Sequence, residues 1–298
     1  MKYAVAIDIG GTNSRVALID EDYKIIERVQ FPTLASDPDA TIARIVETIK
    51  GFKVEVLGVG LSCPGPLDLL NGVVLDTPNL HGAWHNFKIE KALANATKLP
   101  VYLQNDANLA ALAEAVIGLG KDKRFVQFLT ISTGLGSGQV IDKEIYIGAH
   151  GYAHEIANMI LWRDGPQHGS ILPGGIEAIC SGTAIVNRAL AAGLSVRHAG
   201  EVNDLAVQGN KAASTIMDDA KEYLANGIAT LIAITDPEII ILGGSVAIKI
   251  DGFVEEVERK VKAKIFPGLK DKISVVKSNL SEDSGLLGGA CLVFTKAV

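Results

Sequence analysis

One pattern occurs twice in this chain and restricts its fold more than any other feature. Residues 5–20 read as an apolar strand, the string Asp8-Ile9-Gly10-Gly11-Thr12-Asn13, and a second strand ending in Ile19-Asp20. Residues 126–142 read as a strand, the string Ser132-Thr133-Gly134-Leu135-Gly136-Ser137-Gly138, and a strand ending in Ile141-Asp142. In each, a tip rich in Gly, Thr and Ser joins two apolar strands. A duplicated domain whose halves each open with a hairpin has this signature. Gly118-Leu119-Gly120, followed by Lys121-Asp122-Lys123-Arg124, puts the boundary near residues 115–122, and a two-lobed molecule with a cleft is expected.

Short β-branched runs at 56–61, 101–104 and 238–242 alternate with helical stretches at 39–50, 108–117 and 212–234. In the last of these, Ile216, Ala220, Tyr223, Leu224, Ile228 and Leu231 share one face. Farther on, Phe253, Val257, Val261 and Ile265 fall at four-residue steps, as an amphipathic helix requires. Strands alternating with such helices make an α/β architecture. The net charge of −6, with no dense basic block, makes nucleic acid and anionic membrane poor partners. The longest apolar stretches, 228–234 and 239–242, fall well short of the roughly 20 residues that cross a bilayer. No apolar leader follows Met1, so a cytoplasmic protein is expected. Cys63, Cys180 and Cys291 are too scattered for a disulfide framework or a thiolate metal cluster.

Glycines at 10 and 11 let backbone N–H groups approach an oxyanion, and Thr12 and Asn13 add short donors. Thr133, Gly134, Gly136, Ser137 and Gly138 form a matching set. Turn geometry alone explains one such tip; two in equivalent places point to phosphate binding. Neither tip is a Walker A loop, which excludes the P-loop class. Asp8, ending its strand, is placed to hold a hydrated Mg²⁺. A third turn, Leu242-Gly243-Gly244-Ser245, follows an apolar strand and is a place for adenine and ribose. Gln104-Asn105-Asp106 ends one strand and opens a helix, so Asp106 is either an N-cap or a base that takes a proton from a substrate hydroxyl.

These residues resemble a known family. Asp8-Ile9-Gly10-Gly11-Thr12, Cys63-Pro64-Gly65-Pro66 with Asp68, Thr77-Pro78-Asn79-Leu80, Asn105-Asp106-Ala107-Asn108 and the 132–138 string look like the ROK family (repressors, open reading frames and kinases). The likeness runs from Asp8 to Gly288-Gly289. It implies the two-lobed actin-like ATPase fold, a duplicated ribonuclease H-like α/β unit. Residues 1–118 would form a small lobe and 119–286 a large one, with a last helix at about 287–298 returning to the small lobe. It further implies ATP and Mg²⁺ as the donor system, and a hexose or N-acylhexosamine phosphorylated at its 6-hydroxyl. The resemblance makes Asp106 the base and assigns Gly65, Asn79, Asn105, Glu155 and Glu177 to the sugar. A homodimer or homotetramer is expected.

The chain departs from the family pattern after Glu155, where Ile156-Ala157-Asn158 replaces the usual x-Gly-His. The cysteine run that ligates a structural zinc is missing from 166–175, so no structural zinc is expected. Asn158 remains able to hydrogen-bond the sugar near C1 and C2, which leaves glucose and N-acetylmannosamine as alternatives. A sugar-sensing regulator of the same family would carry a helix-turn-helix before its first glycine hairpin; Asp8 is expected to leave no space for one.

Overall fold

The computed structural model describes residues 1–77, 80–280 and 283–297. They form two compact units: unit 1 takes 1–121, 143–153 and 280–298, and unit 2 takes 122–142 and 154–279. In chain order, unit 1 contributes strands β1 (Tyr3–Ile9), β2 (Asn13–Asp20) and β3 (Ile25–Pro32), then α1 (Pro38–Gly51) and β4 (Val59–Ser62). A small hairpin of β5 (Leu67–Asp68) and β6 (Val73–Val74), then α2 (Ile89–Thr97), β7 (Val101–Gln104) and α3 (Asp106–Val116), complete its first stretch. Unit 2 opens with β8 (Phe125–Ile131) and β9 (Leu135–Ile141), and the two-residue β10 (Glu144–Ile145) lies in the 143–153 segment of unit 1. Unit 2 continues through α4 (Ile176–Cys180), α5 (Gly182–Ala191), α6 (Ala199–Val207), α7 (Lys211–Thr235), β11 (Ile239–Gly243), α8 (Gly244–Lys249), α9 (Phe253–Lys264) and β12 (Ser274–Lys277). Helix α10 (Ser284–Lys296) belongs to unit 1.

The units share one plan. In unit 1 the strands lie in the order β3-β2-β1-β4-β7, with β1, β2 and β3 antiparallel and β4 and β7 parallel to β1. In unit 2 the run β9-β8-β11-β12 repeats it: an antiparallel hairpin, then β11 and β12 parallel to β8. The helices begin where polar caps stand. Asp37 Oδ1 accepts the Ala40 N–H at 2.9 Å ahead of α1, and Asn210 Oδ1 accepts that of Ala213 at 3.0 Å ahead of α7. Along α9, Phe253, Val257 and Val261 are buried, followed by Ile265, and in α7 the buried face includes Ile216, Ala220, Leu224 and Ile228. No helix among the described residues is long and apolar enough to cross a membrane.

Strand alternation gives the unit 1 sheet two different faces. Val5, Ile7 and Ile9 join one core with Leu61 and Ile45, while Ala4, Ala6, Ala17 and Ile19 face Leu286, Ala290 and Val293 of α10. The small side chains on that second face let α10 sit unusually low. A Cβ on Gly60 of β4 would lie 2.1 Å from the Gly289 carbonyl oxygen, and one on Gly288 would lie 2.0 Å from that of Leu109 in α3. The glycines at 288 and 289 therefore serve backbone approach. At the far end of α3, Lys143 Nζ donates to the carbonyls of Ala115 at 2.5 Å and Lys121 at 2.6 Å, a cation on a helix C-terminus.

Gly288→Ala should lower the thermal midpoint by several degrees, in line with about 1–3 kcal/mol for forced overpacking. Gly285→Ala in the same helix, where a Cβ meets nothing within 4 Å, should be neutral or stabilising. Calorimetry on the two variants checks this; equal losses would refute the close-approach account.

Candidate active site

The carboxyl ends of three parallel strands assemble the acidic part of unit 1. Asp8 stands beside Ser62, and Ser62 beside Gln104, so the residues that follow, Cys63 and Asn105-Asp106, emerge at one edge. Asn105, in extended conformation, is the cap of α3: its Oδ1 accepts the Asn108 N–H at 2.7 Å. Asp106 is thus released from capping and becomes the first residue of the helix. Its Oδ1 accepts the Ala107 N–H at 2.9 Å. Burial raises the Asp106 carboxyl above the usual carboxylate range; the Ala107 amide opposes this, and the Asp8 charge adds to it. The residue keeps solvent access, so screening moderates the shift. Cys63 is fully buried, and its thiol is pushed up by that burial and then by the charges of Asp8 and Asp106. Both carboxylates are therefore close to one neutral sulfur.

Arg15 fixes Asp8. Its Nη2 and Nε both donate to Asp8 Oδ2, at 2.6 and 3.1 Å, and its Nη1 reaches Asp283 at 3.3 Å, which Arg28 also holds at 2.6 Å. Asp8 Oδ1 has no protein partner among the described residues, which suits a carboxylate that meets a hydrated cation through water. In the adjoining tip, Gly10 N–H donates to the Asn13 carbonyl at 2.9 Å, and a Cβ on Gly10 would lie 2.9 Å from that same oxygen. Gly11, Thr12 and Asn13 complete the tip, and Thr12 and Asn13 are exposed.

Unit 2 builds its part around the second tip. Ser132 N–H donates to the Gly134 carbonyl at 2.9 Å, as Gly10 does to Asn13. The start of α5 braces the tip, with Gly182 and Thr183 N–H donating to the carbonyls of Ser132 and Thr133 at 2.6 and 3.4 Å. Ser245 Oγ lies 3.2 Å from Ser132 Oγ. Gly244 has φ +83 and its Cβ would fall 2.3 Å from the Ile131 carbonyl oxygen, so only glycine fits there. Gly243 lies beside the Phe128 ring, and Gly136 pairs with Thr130. The tip, the α5 N-terminus and this turn border a cavity of about 680 Å³, whose wall also carries Arg197, His198 and Lys249. Sequence reading did not find these last three or Thr183. Ser181-Gly182-Thr183 opening a helix was the available signal for the latter; Arg197, His198 and Lys249 carry none, because only the fold gathers them.

The remaining candidates stand as follows. Glu177, on α4, places Oε2 2.8 Å from the Leu135 N–H in the second hairpin. Asn158 is exposed, and its Oδ1 accepts the Leu172 N–H at 2.8 Å. Glu155 is exposed beside His154. Gly65 is exposed beyond β4, with ordinary room for a Cβ. Asn79 lies outside the described residues. The side chains near 150–175 do not fit a structural zinc. His154 bonds Gln139 at 3.0 Å and is kept neutral by burial, His168 bonds Asn187 at 3.3 Å, and Cys180 donates to the Ala220 carbonyl. No group of three His, Cys, Asp or Glu among the described residues could hold a metal ion. Instead Trp162 stacks on Tyr223 with ring centroids 4.9 Å apart, and Arg188, paired with Asp219, lies over its ring at 5.5 Å.

Comparison with known proteins gives a consistent picture. The model of the ROK family matches residues 4–296. A glucokinase from Thermotoga maritima is 33% identical over 97% of this chain and 96% of its own length. An N-acetylmannosamine kinase from Salmonella typhi is 32% identical over 97% of each. The solved ROK hexokinase from Thermus thermophilus aligns with a TM-score of 0.89 at 30% identity, over 99% of this chain and 98% of that one. A ROK family glucokinase from Streptomyces griseus, solved with glucose and AMPPNP, aligns with a TM-score of 0.77 at 26% identity, over 98% and 99%. The fold is the actin-like ATPase fold that these structures share.

The raised Asp106 carboxyl has a consequence for stability. Between the ordinary carboxylate value and the raised one, the folded state binds more protons than the unfolded chain, so ionised Asp106 works against folding as pH rises through that window. Asp106→Asn should therefore leave the melting temperature near neutral pH unchanged or higher. A lower midpoint by differential scanning fluorimetry would show that the carboxylate stabilises the fold.

Proposed function

The chain belongs to the ROK family, and we propose that it is an ATP-dependent sugar kinase transferring the γ-phosphate to the 6-hydroxyl of a hexose or N-acylhexosamine. The observation that carries this is the state of Asp106: excused from capping by Asn105, solvent-accessible, and made more basic by partial desolvation and by Asp8. A carboxylate so tuned takes the hydroxyl proton as the oxygen attacks phosphorus, while the bond from phosphorus to the ADP oxygen breaks. The proton ends on Asp106 and the electron pair on ADP.

In unit 1, Gly10, Gly11, Thr12 and Asn13 would meet phosphate oxygens, and Asp8 Oδ1 would hold Mg²⁺ through water. When bound, that ion supplies charge neutralisation on the phosphates. In unit 2, Thr133, Gly134 and Gly136 would serve phosphate, and the cavity beside Gly243-Gly244-Ser245 has the size for adenosine. Gly65, Asn79, Asn105, Glu155, Asn158 and Glu177 are proposed to contact the sugar. Glucose and N-acetylmannosamine are both supported, since a glucokinase is 33% and an N-acetylmannosamine kinase 32% identical to this chain. With its oxygen committed to Leu172, Asn158 has its NH₂ to offer. That group suits a ring hydroxyl or an acetamido carbonyl.

A coupled ADP-release screen over glucose, mannose, fructose, N-acetylglucosamine and N-acetylmannosamine should show strong acceleration by at least one sugar. Asp106→Asn should then lose about 10²-fold or more of kcat while retaining sugar binding by calorimetry. In the wild type, the acidic limb of kcat/KM against pH should lie above the ordinary carboxylate range; a limb at the free-aspartate value would sink the role given to Asp106.

A further inference from the structure

Glu177 holds two parts of unit 2 together. Its backbone N–H donates to the Ala157 carbonyl at 3.2 Å, and its neighbour Ile176 N–H donates to that of Met159 at 2.9 Å, so the first turn of α4 grips the segment that carries Asn158. Its side chain reaches the other way. Oε2 accepts the Leu135 N–H at 2.8 Å, and a Cβ on Gly134 would lie 2.8 Å from this same oxygen. Gly134 has no left-handed φ, so its missing side chain makes room for a carboxylate as well as for any phosphate. Oε1 has no hydrogen-bond partner among the described residues, and the residue is only half-buried. The piece from α4 to the start of α5 also bonds Ser132 and Thr133, the latter on the wall of the large cavity.

A carboxylate against the tip that is to receive phosphates is electrostatically adverse. Hydroxyl groups donating to Oε1 would draw that charge outward and relieve it. We propose that Glu177 is a positioning residue that couples acceptor binding to nucleotide affinity, its Oε1 sensing a polyol hydroxyl while its Oε2 holds the second phosphate tip. This rests on the kinase function proposed above. Coupling between two sites is a reciprocal free energy, commonly a 5- to 150-fold change in affinity.

The test is titration calorimetry of AMPPNP with and without the sugar that most accelerates ADP release. The wild type should bind AMPPNP at least about 5-fold tighter with sugar present. Glu177→Gln keeps an oxygen for the Leu135 amide but loses the charge, so its coupling should fall to within twofold, whereas a purely structural role would be rescued. Gly134→Ala, which displaces the carboxylate, should lose the same coupling, and the double variant should lose no more than either single one. Full coupling in Glu177→Gln, or additive losses in the double variant, would overturn the proposal. Should Glu177→Gln not fold, Gly134→Ala decides alone by the same criterion. If no sugar accelerates ADP release by the wild type, the kinase function itself fails and this coupling with it; sugar-stimulated ADP release by the wild type together with intact coupling in the variants defeats the coupling only.

Discussion

Unit 1 depends on a backbone-to-backbone contact. Helix α10 can lie on β4 and α3 at the observed distance only because Gly60, Gly288 and Gly289 bring no side chain to the contact. The elements held in this way are the ones that deliver functional groups. β4 ends at Ser62, just before Cys63, α3 begins at Asp106, and β1, covered by the same helix, ends in Asp8-Ile9. Moving α10 outward by the width of a methyl group would shift the acidic edge relative to the tip at 10–13. Close packing of this kind tolerates little change in volume, and it transmits displacement instead of absorbing it.

The charges at that edge oppose and restrain each other. Asp8 and Asp106 both act on Cys63, and the charge of Asp8 raises the cost of ionising Asp106. Arg15 resolves half of the conflict by holding one oxygen of Asp8 and linking it to Asp283, just ahead of α10. Among the described residues Asp106 receives no such cation. The N-terminal amides of α3 are its main relief, enough to keep a carboxylate there without making it inert. The asymmetry follows from strand alternation: Asp8 shares a face with Ala4 and Ala6, and that face meets α10.

Much of this was legible in the sequence. The tips at 10–13 and 132–134 show because close turns demand small residues, and α7 and α9 show through their apolar periodicity. The ambiguity at 105–106 was real: Asn and Asp cap equally well, and only the extended backbone of Asn105 decides which one does. Arg197, His198 and Lys249 were not visible, since the Arg197-His198 pair ahead of α6 and Lys249 at the end of α8 meet only around a cavity. Glu177 was noticed for its resemblance to a sugar ligand, but its bond to Leu135 spans 42 residues and leaves no local pattern. Likewise the absent cysteines show what does not hold the 158–175 loop; the Trp162 and Tyr223 stack that does hold it depends on a helix some 60 residues away.

The position of α10 in the chain bears on how the molecule is made. The face of β1 and β2 lined by Ala4, Ala6 and Ala17 stays uncovered until residues 284–296 have been synthesised. Everything from 154 to 279, which belongs to unit 2, leaves the ribosome before that cover exists. Unit 2 is therefore complete while the part of the chain made first still waits for its last layer, so unit 1 exposes apolar surface longest during translation.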